Sequence, residues 1–457
     1  MSNLFEMDSL FENPLFTSVC EQVKNNNYIP REKYAQYDVK RGLRNADGTG
    51  VLAGLTRVCN VHGYVLSEGE KVPVRGELTY RGYHIESLVA GSHGQNRFGF
   101  EEVVFLLLFG TLPTKDQLAS FCELLANSRD LPEYFAEDMI LKAPSPNIMN
   151  KMARSVLTLY SYDSHPEPEN LENVMRQCLQ LIAMMPTVMG YAYQVKRRHY
   201  DKESMYFHPL LPHLSTAETV LRTIRADAQY TEEEARLLDL CLMLHAEHGG
   251  GNNSAFTTRV LSSSDTDTYS AIAGAIGALK GPRHGGANLK VNEMLRDIQT
   301  NVKNHNDDEE IAEYLGKMVR REAGDGSGLI YGMGHAVYTI SDPRAVLLKE
   351  EARRIAEQKG FDDEFRLLDA VERLTPAVMQ KERGIDRALC ANVDMYSGLV
   401  YRSLGISEDL FTPLFAVARI SGWCAHRLEE YLTGKRIIRP AYKPFSKENK
   451  YIELKDR

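Results

Sequence analysis

Long apolar runs are missing from this chain of 457 residues. The longest, Val103 to Phe109, spans seven residues, whereas a membrane-crossing helix needs about 20. The opening stretch MSNLFEMDSLFENP is acidic and lacks the basic-then-apolar order of a secretory leader, so a cytoplasmic location is expected. Cysteine is sparse: the seven stand at 20, 59, 122, 178, 241, 390 and 424, no two within four residues of each other. That spacing excludes a zinc ribbon or a CxxC redox pair and suits buried free thiols in a reducing compartment. There is no excess of positive charge either. With 54 basic and 62 acidic residues the net charge is −8, which argues against general affinity for nucleic acid or anionic lipid. No GxxxxGK[ST] loop occurs, no GxGxxG lies in a βαβ context, and no GxSxG elbow is present. Nucleotide hydrolysis, Rossmann redox chemistry and the α/β-hydrolase mechanism therefore lose their usual signatures.

What is present reads as a globular, mainly α-helical protein. Hydrophobic residues make up 43% and charged residues 25%, and the length suits two or three domains. The first 60 or so residues are weakly periodic and predict an arm or surface layer. Residues 61–90 predict short extended segments leading into a helix. Thr114 with Gln117 and Thr231 with Glu234 form capping boxes that open helices. Leu171, Val174, Met175, Cys178, Leu179 and Ile182 follow helical spacing, and Pro186 is expected to kink or end that helix. The small-residue stretch Tyr269 to Lys280 predicts a helix buried on most sides, closed by Gly281 and Pro282. Further helices are expected near 288–302, 308–320, 343–358, 362–374, 395–404 and 413–433. Sustained β alternation is almost absent.

Chemistry concentrates where histidines meet glycines. In GPRHGGAN, His284 sits at a junction between two helices, either capping the first or facing a cleft. In GMGHAVYTISDPRA, His335 follows a glycine turn. There Asp342 and Pro343 open a helix with Arg344 in its first turn, either an ordinary cap or an anion site. In NVDMYSG, Asp394 precedes a helical run, as a simple N-cap or as a general base. In HAEHGGGNNSA, His245 and His248 are three residues apart, and Asn252 stiffens the turn or orients a ligand. A metal reading of that pair lacks a third ligand. Arg419 lies in a helix among Val417, Ile420 and Trp423, where an arginine must be paired or bind an anion. Arg439 lies in a basic tail, where solvent exposure is the default.

These segments, in this order between residues 245 and 440, resemble the citrate synthase family, which includes the 2-methylcitrate synthases. GELTYRGYHIESL and FEEVVFLLLFGTLPT extend the likeness to about residue 60. The resemblance implies a multihelical homodimer whose subunits have two domains: a discontinuous large domain, 1–285 and 393–457, and a small domain, 286–392. It implies condensation of acetyl-CoA with oxaloacetate and thioester hydrolysis to citrate and CoA, without metal or redox cofactor. Asp394 would be the base, His284 would stabilise the enol or enolate, and His335 would polarise the ketone. His248, Asn252, Arg344 and Arg419 would bind oxaloacetate or citrate, and Arg439 would enter the partner's site. The sequence departs from many relatives in having Arg at 283 and Thr at 339; Arg283 is a candidate contact for a CoA phosphate. The readings that compete with this one are propionyl-CoA as the acyl donor, a metal-dependent hydrolase, and a non-catalytic helical sensor of di- or tricarboxylates.

Overall fold

The computed structural model describes residues 14–68, 70–386, 388–434, 436–446 and 448–457, with side chains from residue 19 onward, Asn25 excepted. The chain falls into two compact units. The first ends at Gly54 and contains helices α1 (Pro14–Asn27) and α2 (Arg31–Gln36). No side chain of α2 is buried.

The second unit, Leu55–Arg457, opens with an antiparallel sheet of β1 (Cys59–Ser67), β2 (Glu70–Tyr80) and β3 (Tyr83–His84). Helices then dominate: α3 (Ile85–His93), α4 (Phe100–Phe109), α5 (Lys115–Asn127), α6 (Ile148–Leu159) and α7 (Leu171–Lys196). After α8 (Thr216–Ile224) come α9 (Glu232–His245), α10 (Asn253–Ser262), α11 (Thr268–Lys280) and α12 (Ala287–Asn301). The chain continues through α13 (Asp308–Val319), α14 (Pro343–Lys359), α15 (Asp362–Arg383), α16 (Asp394–Ser403) and α17 (Phe411–Thr433). The fold is mainly α, as expected. Among the described residues no helix is long and apolar enough to cross a membrane. All seven cysteines are free; five are buried, but Cys20 and Cys122 are only partly so.

Both expected capping boxes form, at Thr114–Gln117 and Thr231–Glu234. A third, Ser215–Glu218, opens α8. Of the two outcomes expected at Pro186, a kink or an end, the end does not occur: α7 runs through it to Lys196. A proline inside a helix costs about 3 kcal/mol. Burial of Ala183, Met185, Val188 and Met189 on either side offsets this, at about 1.5–3 kcal/mol for each large side chain. In the same way α15 passes the expected end at 374 and continues through Pro376 to Arg383, keeping Thr375 and Val378 buried.

The centre of the core is α17, buried almost without interruption from Phe411 to Leu428. It touches α4, α7, α9, α10 and α11. Helix α13 packs mainly on α15, while α12 and α14 pack chiefly on α16, which α15 also touches. The hairpin β1–β2 lies flat on the loop that precedes α14. There a Cβ on Gly76 would stand 2.0 Å from the Ser341 carbonyl oxygen, and one on Gly63 would stand 2.9 Å from that of Val337. Gly76 N–H donates to Ser341 Oγ at 3.2 Å, and Tyr338 Oη donates to the Glu77 carbonyl at 3.2 Å.

Candidate active site

Helix ends supply most of the site. Beyond the C-terminus of α9, His248 is buried with no protein partner for its Nε2. Its ring stands 5.0 Å from that of His335, edge to face. Burial holds the His248 imidazole well below its ordinary proton affinity, and the charges of Arg344, His335, Arg419 and His284 push the same way. With His248 itself, these neighbours bring four segments, distant in sequence, to one spot.

His335 is oriented by its own loop. Its Nδ1 accepts from the backbone N–H groups of Val337 and Tyr338, both at 3.1 Å. In the neutral ring the proton therefore sits on Nε2, which is a donor. Tyr338 stacks on the same ring with centroids 4.6 Å apart.

His284 is held through α10. Its Nε2 accepts from Ser254 N–H at 3.3 Å and lies 3.0 Å from Ser254 Oγ. Ser254 Oγ in turn accepts from Trp423 Nε1 at 3.0 Å and stands 2.9 Å from Asn252 Oδ1. With Nε2 accepting, the proton of the neutral ring belongs on Nδ1. Burial lowers the imidazole to about 4, and the charge of Arg419 adds to the effect, so the ring is neutral at pH 7. Asn252 serves this turn twice, since its own N–H donates to the Gly249 carbonyl at 3.0 Å.

The two buried arginines of the site differ. Arg344 is locked side-on to Asp342, with Nε to Oδ1 at 3.0 Å and a terminal nitrogen to Oδ2 at 2.7 Å. Asp342 also caps α14 by accepting from Arg344 N–H, so one carboxylate fixes both the helix start and the guanidinium. Arg419 spends only its Nε, on the His245 carbonyl at 2.6 Å. It is fully buried, yet neither terminal nitrogen has a protein partner. A buried cation left so costs several kcal/mol unless an anion completes it.

Asp394 is not the N-cap expected as the plain alternative. It is the first helical residue of α16, and the cap work falls to Asn392, whose Oδ1 accepts from Asp394 N–H at 3.0 Å. Its carboxyl is pushed up to about 6 by burial; Asp342 adds to the rise while Arg344 and Arg419 oppose it. A carboxylate so placed is a stronger base than a solvated one.

Seven of the nine residues expected from the sequence thus gather around one buried locus: His248, Asn252, His284, His335, Arg344, Asp394 and Arg419. Arg283 and Arg439 are exposed and stand outside it. Among the described residues no group of three or more His, Cys, Asp or Glu could hold a metal ion. Sequence reasoning missed Tyr338, Ser254 and Glu247. The buried Glu247 pairs through Oε1 with His426 Nε2 at 2.9 Å, both side chains fully buried. Its position between two histidines of HAEHGGG was the one available signal.

Residues 46–441 match the family described as citrate synthase, C-terminal domain. The chain is 36% identical over 371 residues to a citrate synthase of Corynebacterium glutamicum, covering 80% of this chain and 79% of the relative. It is 32% identical over 417 residues to one from Synechocystis, covering 89% and 92%. The crystal structure of citrate synthase from Thermotoga maritima superposes with a TM-score of 0.72 at 28% identity, covering 92% of this chain and 99% of that one. Buried histidines, arginines and carboxylate on a helical frame of this kind, together with likeness over most of the length, show that the chain belongs to the citrate synthase family.

Proposed function

We infer that this chain condenses acetyl-CoA with oxaloacetate and hydrolyses the resulting thioester, releasing citrate and CoA. The observation that carries this reading is Arg419, a buried guanidinium with two unpartnered terminal nitrogens, whose charge is felt by both His284 and Asp394. It is a carboxylate anchor set beside an acid–base pair. Arg344, His248 and Asn252 complete the oxaloacetate site, with Arg344 held in place by Asp342. His335 Nε2–H faces the ketone and polarises it.

Asp394 removes a proton from the methyl carbon of acetyl-CoA. As that C–H bond breaks, charge moves to the thioester oxygen, where neutral His284 donates from Nδ1. The new carbon–carbon bond forms at the ketone carbon, and His335 gives its proton to the alkoxide. Water then cleaves the thioester. The chemistry calls for no metal or redox cofactor.

Residues 286–392 form the small domain, which closes on the rest when oxaloacetate binds and excludes water from the thioester. The working unit is a homodimer in the cytoplasm, with Arg439 completing the partner's site and Arg283 meeting a CoA phosphate. Release of the CoA thiol, followed with a thiol-reactive dye, tests the reading. It should require both oxaloacetate and acetyl-CoA, and the specificity constant for acetyl-CoA should exceed that for propionyl-CoA. Absence of oxaloacetate-dependent thiol release sinks the proposal.

A further inference from the structure

Glu247 has no part in the chemistry above, yet it is the fully buried carboxylate whose charge acts most strongly on Arg419. Its Oε1 takes the proton of His426 Nε2 at 2.9 Å, while its Oε2 has no protein partner. His426 Nδ1 accepts from Arg259 at 2.7 Å, and Arg259 pairs with Glu429 and Glu430. With Nδ1 accepting from Arg259, His426 Nε2 is the donor to Glu247, whose carboxyl is held below its ordinary proton affinity. The nearby Gly249 N–H, with His426 and Arg419, favours the ionised form of that carboxylate. On α17, Gly422 leaves room for it: a Cβ there would stand 2.0 Å from Glu247 Oε2. Cys59, Tyr80 and Arg81 also feel its charge.

We propose that Glu247 is a positioning residue, the resident counter-charge of the oxaloacetate site. Held by His426 and Arg259, its carboxylate offsets the Arg419 cation when the site is empty. It also weakens the grip of Arg419 on bound carboxylates, so that citrate, with one more carboxylate than oxaloacetate, can leave. The sign follows from electrostatics: removing a fixed negative charge near a cation strengthens the binding of anions to it. The inference rests on the reading of Arg419 as a carboxylate anchor.

The test is Glu247→Gln in the full-length enzyme. Inhibition by citrate should tighten by about tenfold and the KM for oxaloacetate should fall, while kcat drops through slower product release. The rise in Tm on adding oxaloacetate should be larger than in the wild type, because the empty site is left with an uncompensated cation. A merely structural role would weaken or leave unchanged both binding constants, and that result overturns the inference. Should this variant fail to fold, Arg259→Gln lies nearer the surface. It removes the group that holds His426 against Glu247, so it loosens the counter-charge and should shift citrate inhibition in the same direction by about threefold. Unchanged inhibition in that variant overturns the inference equally. Wild-type enzyme run alongside separates the two levels. No thiol release from it discards the function itself, whereas normal wild-type turnover with unmoved variants discards only the role of Glu247.

Discussion

The Asp394 carboxyl sits where catalysis and stability pull against each other. As the proposed base it must be ionised, and burial places its proton affinity at about 6. Activity is therefore expected to fall as pH drops through about 6, by roughly tenfold per unit below it, in a kcat/KM profile for acetyl-CoA. A flat profile down to pH 5 would contradict the assignment. Asp394→Ala should lose at least about 10² in turnover with its far-ultraviolet dichroism intact. Stability should move the other way. A carboxyl raised on folding contributes stability only while protonated, and that contribution is lost as pH rises through the folded value. At pH 7.5 the ionised group is a net cost, so Asp394→Asn should unfold at higher temperature, by roughly 1–3 kcal/mol in calorimetry. A lower Tm would mean that the carboxylate makes native contacts not seen here.

Elements set the directions of these groups. The loop carrying His335 is pressed against the β1–β2 hairpin, and Gly76 is the point of closest approach. An added Cβ would meet Ser341 O at 2.0 Å and Tyr338 Cδ1 at 2.7 Å, and a backbone neighbour cannot swing aside as a side-chain tip can. Gly76→Ala should push Tyr338 and the stacked His335 out of line, cutting kcat by about tenfold or more. Steady-state kinetics at saturating substrates read this directly; wild-type kcat would show that the hairpin is not a template for the loop. The same scale explains what the sequence hid. Tyr338 was unreadable because its stacking on His335 depends on how the loop turns. Neither Pro186 nor Pro376 ends its helix, because the local rule for helix ends is overridden by burial on both sides of each proline.

The proposed dimer makes a prediction that no single subunit could meet. Arg439→Ala and Asp394→Ala should each inactivate the enzyme when expressed alone. Co-assembled, they generate heterodimers in which one site keeps its own Asp394 and borrows an intact Arg439. Random pairing should restore about a quarter of wild-type activity. Mixtures as inactive as the separate variants would show that Arg439 does not cross between subunits.

The sequence by itself determined the helical class, the capping of α5, α9 and α14, and seven of the residues that gather at the buried locus. Each of these signals is local: a histidine framed by glycines, a carboxylate opening a helix, a lone cation in an apolar stripe such as Val417 to Trp423. Which groups meet, and in which protonation state, was decided only by the tertiary structure. The paths from Trp423 through Ser254 to His284, and from Arg259 through His426 to Glu247, join residues up to 179 positions apart. The rise of Asp394 and the fall of His284 come from losing water on burial, a property of the folded interior that no stretch of sequence contains.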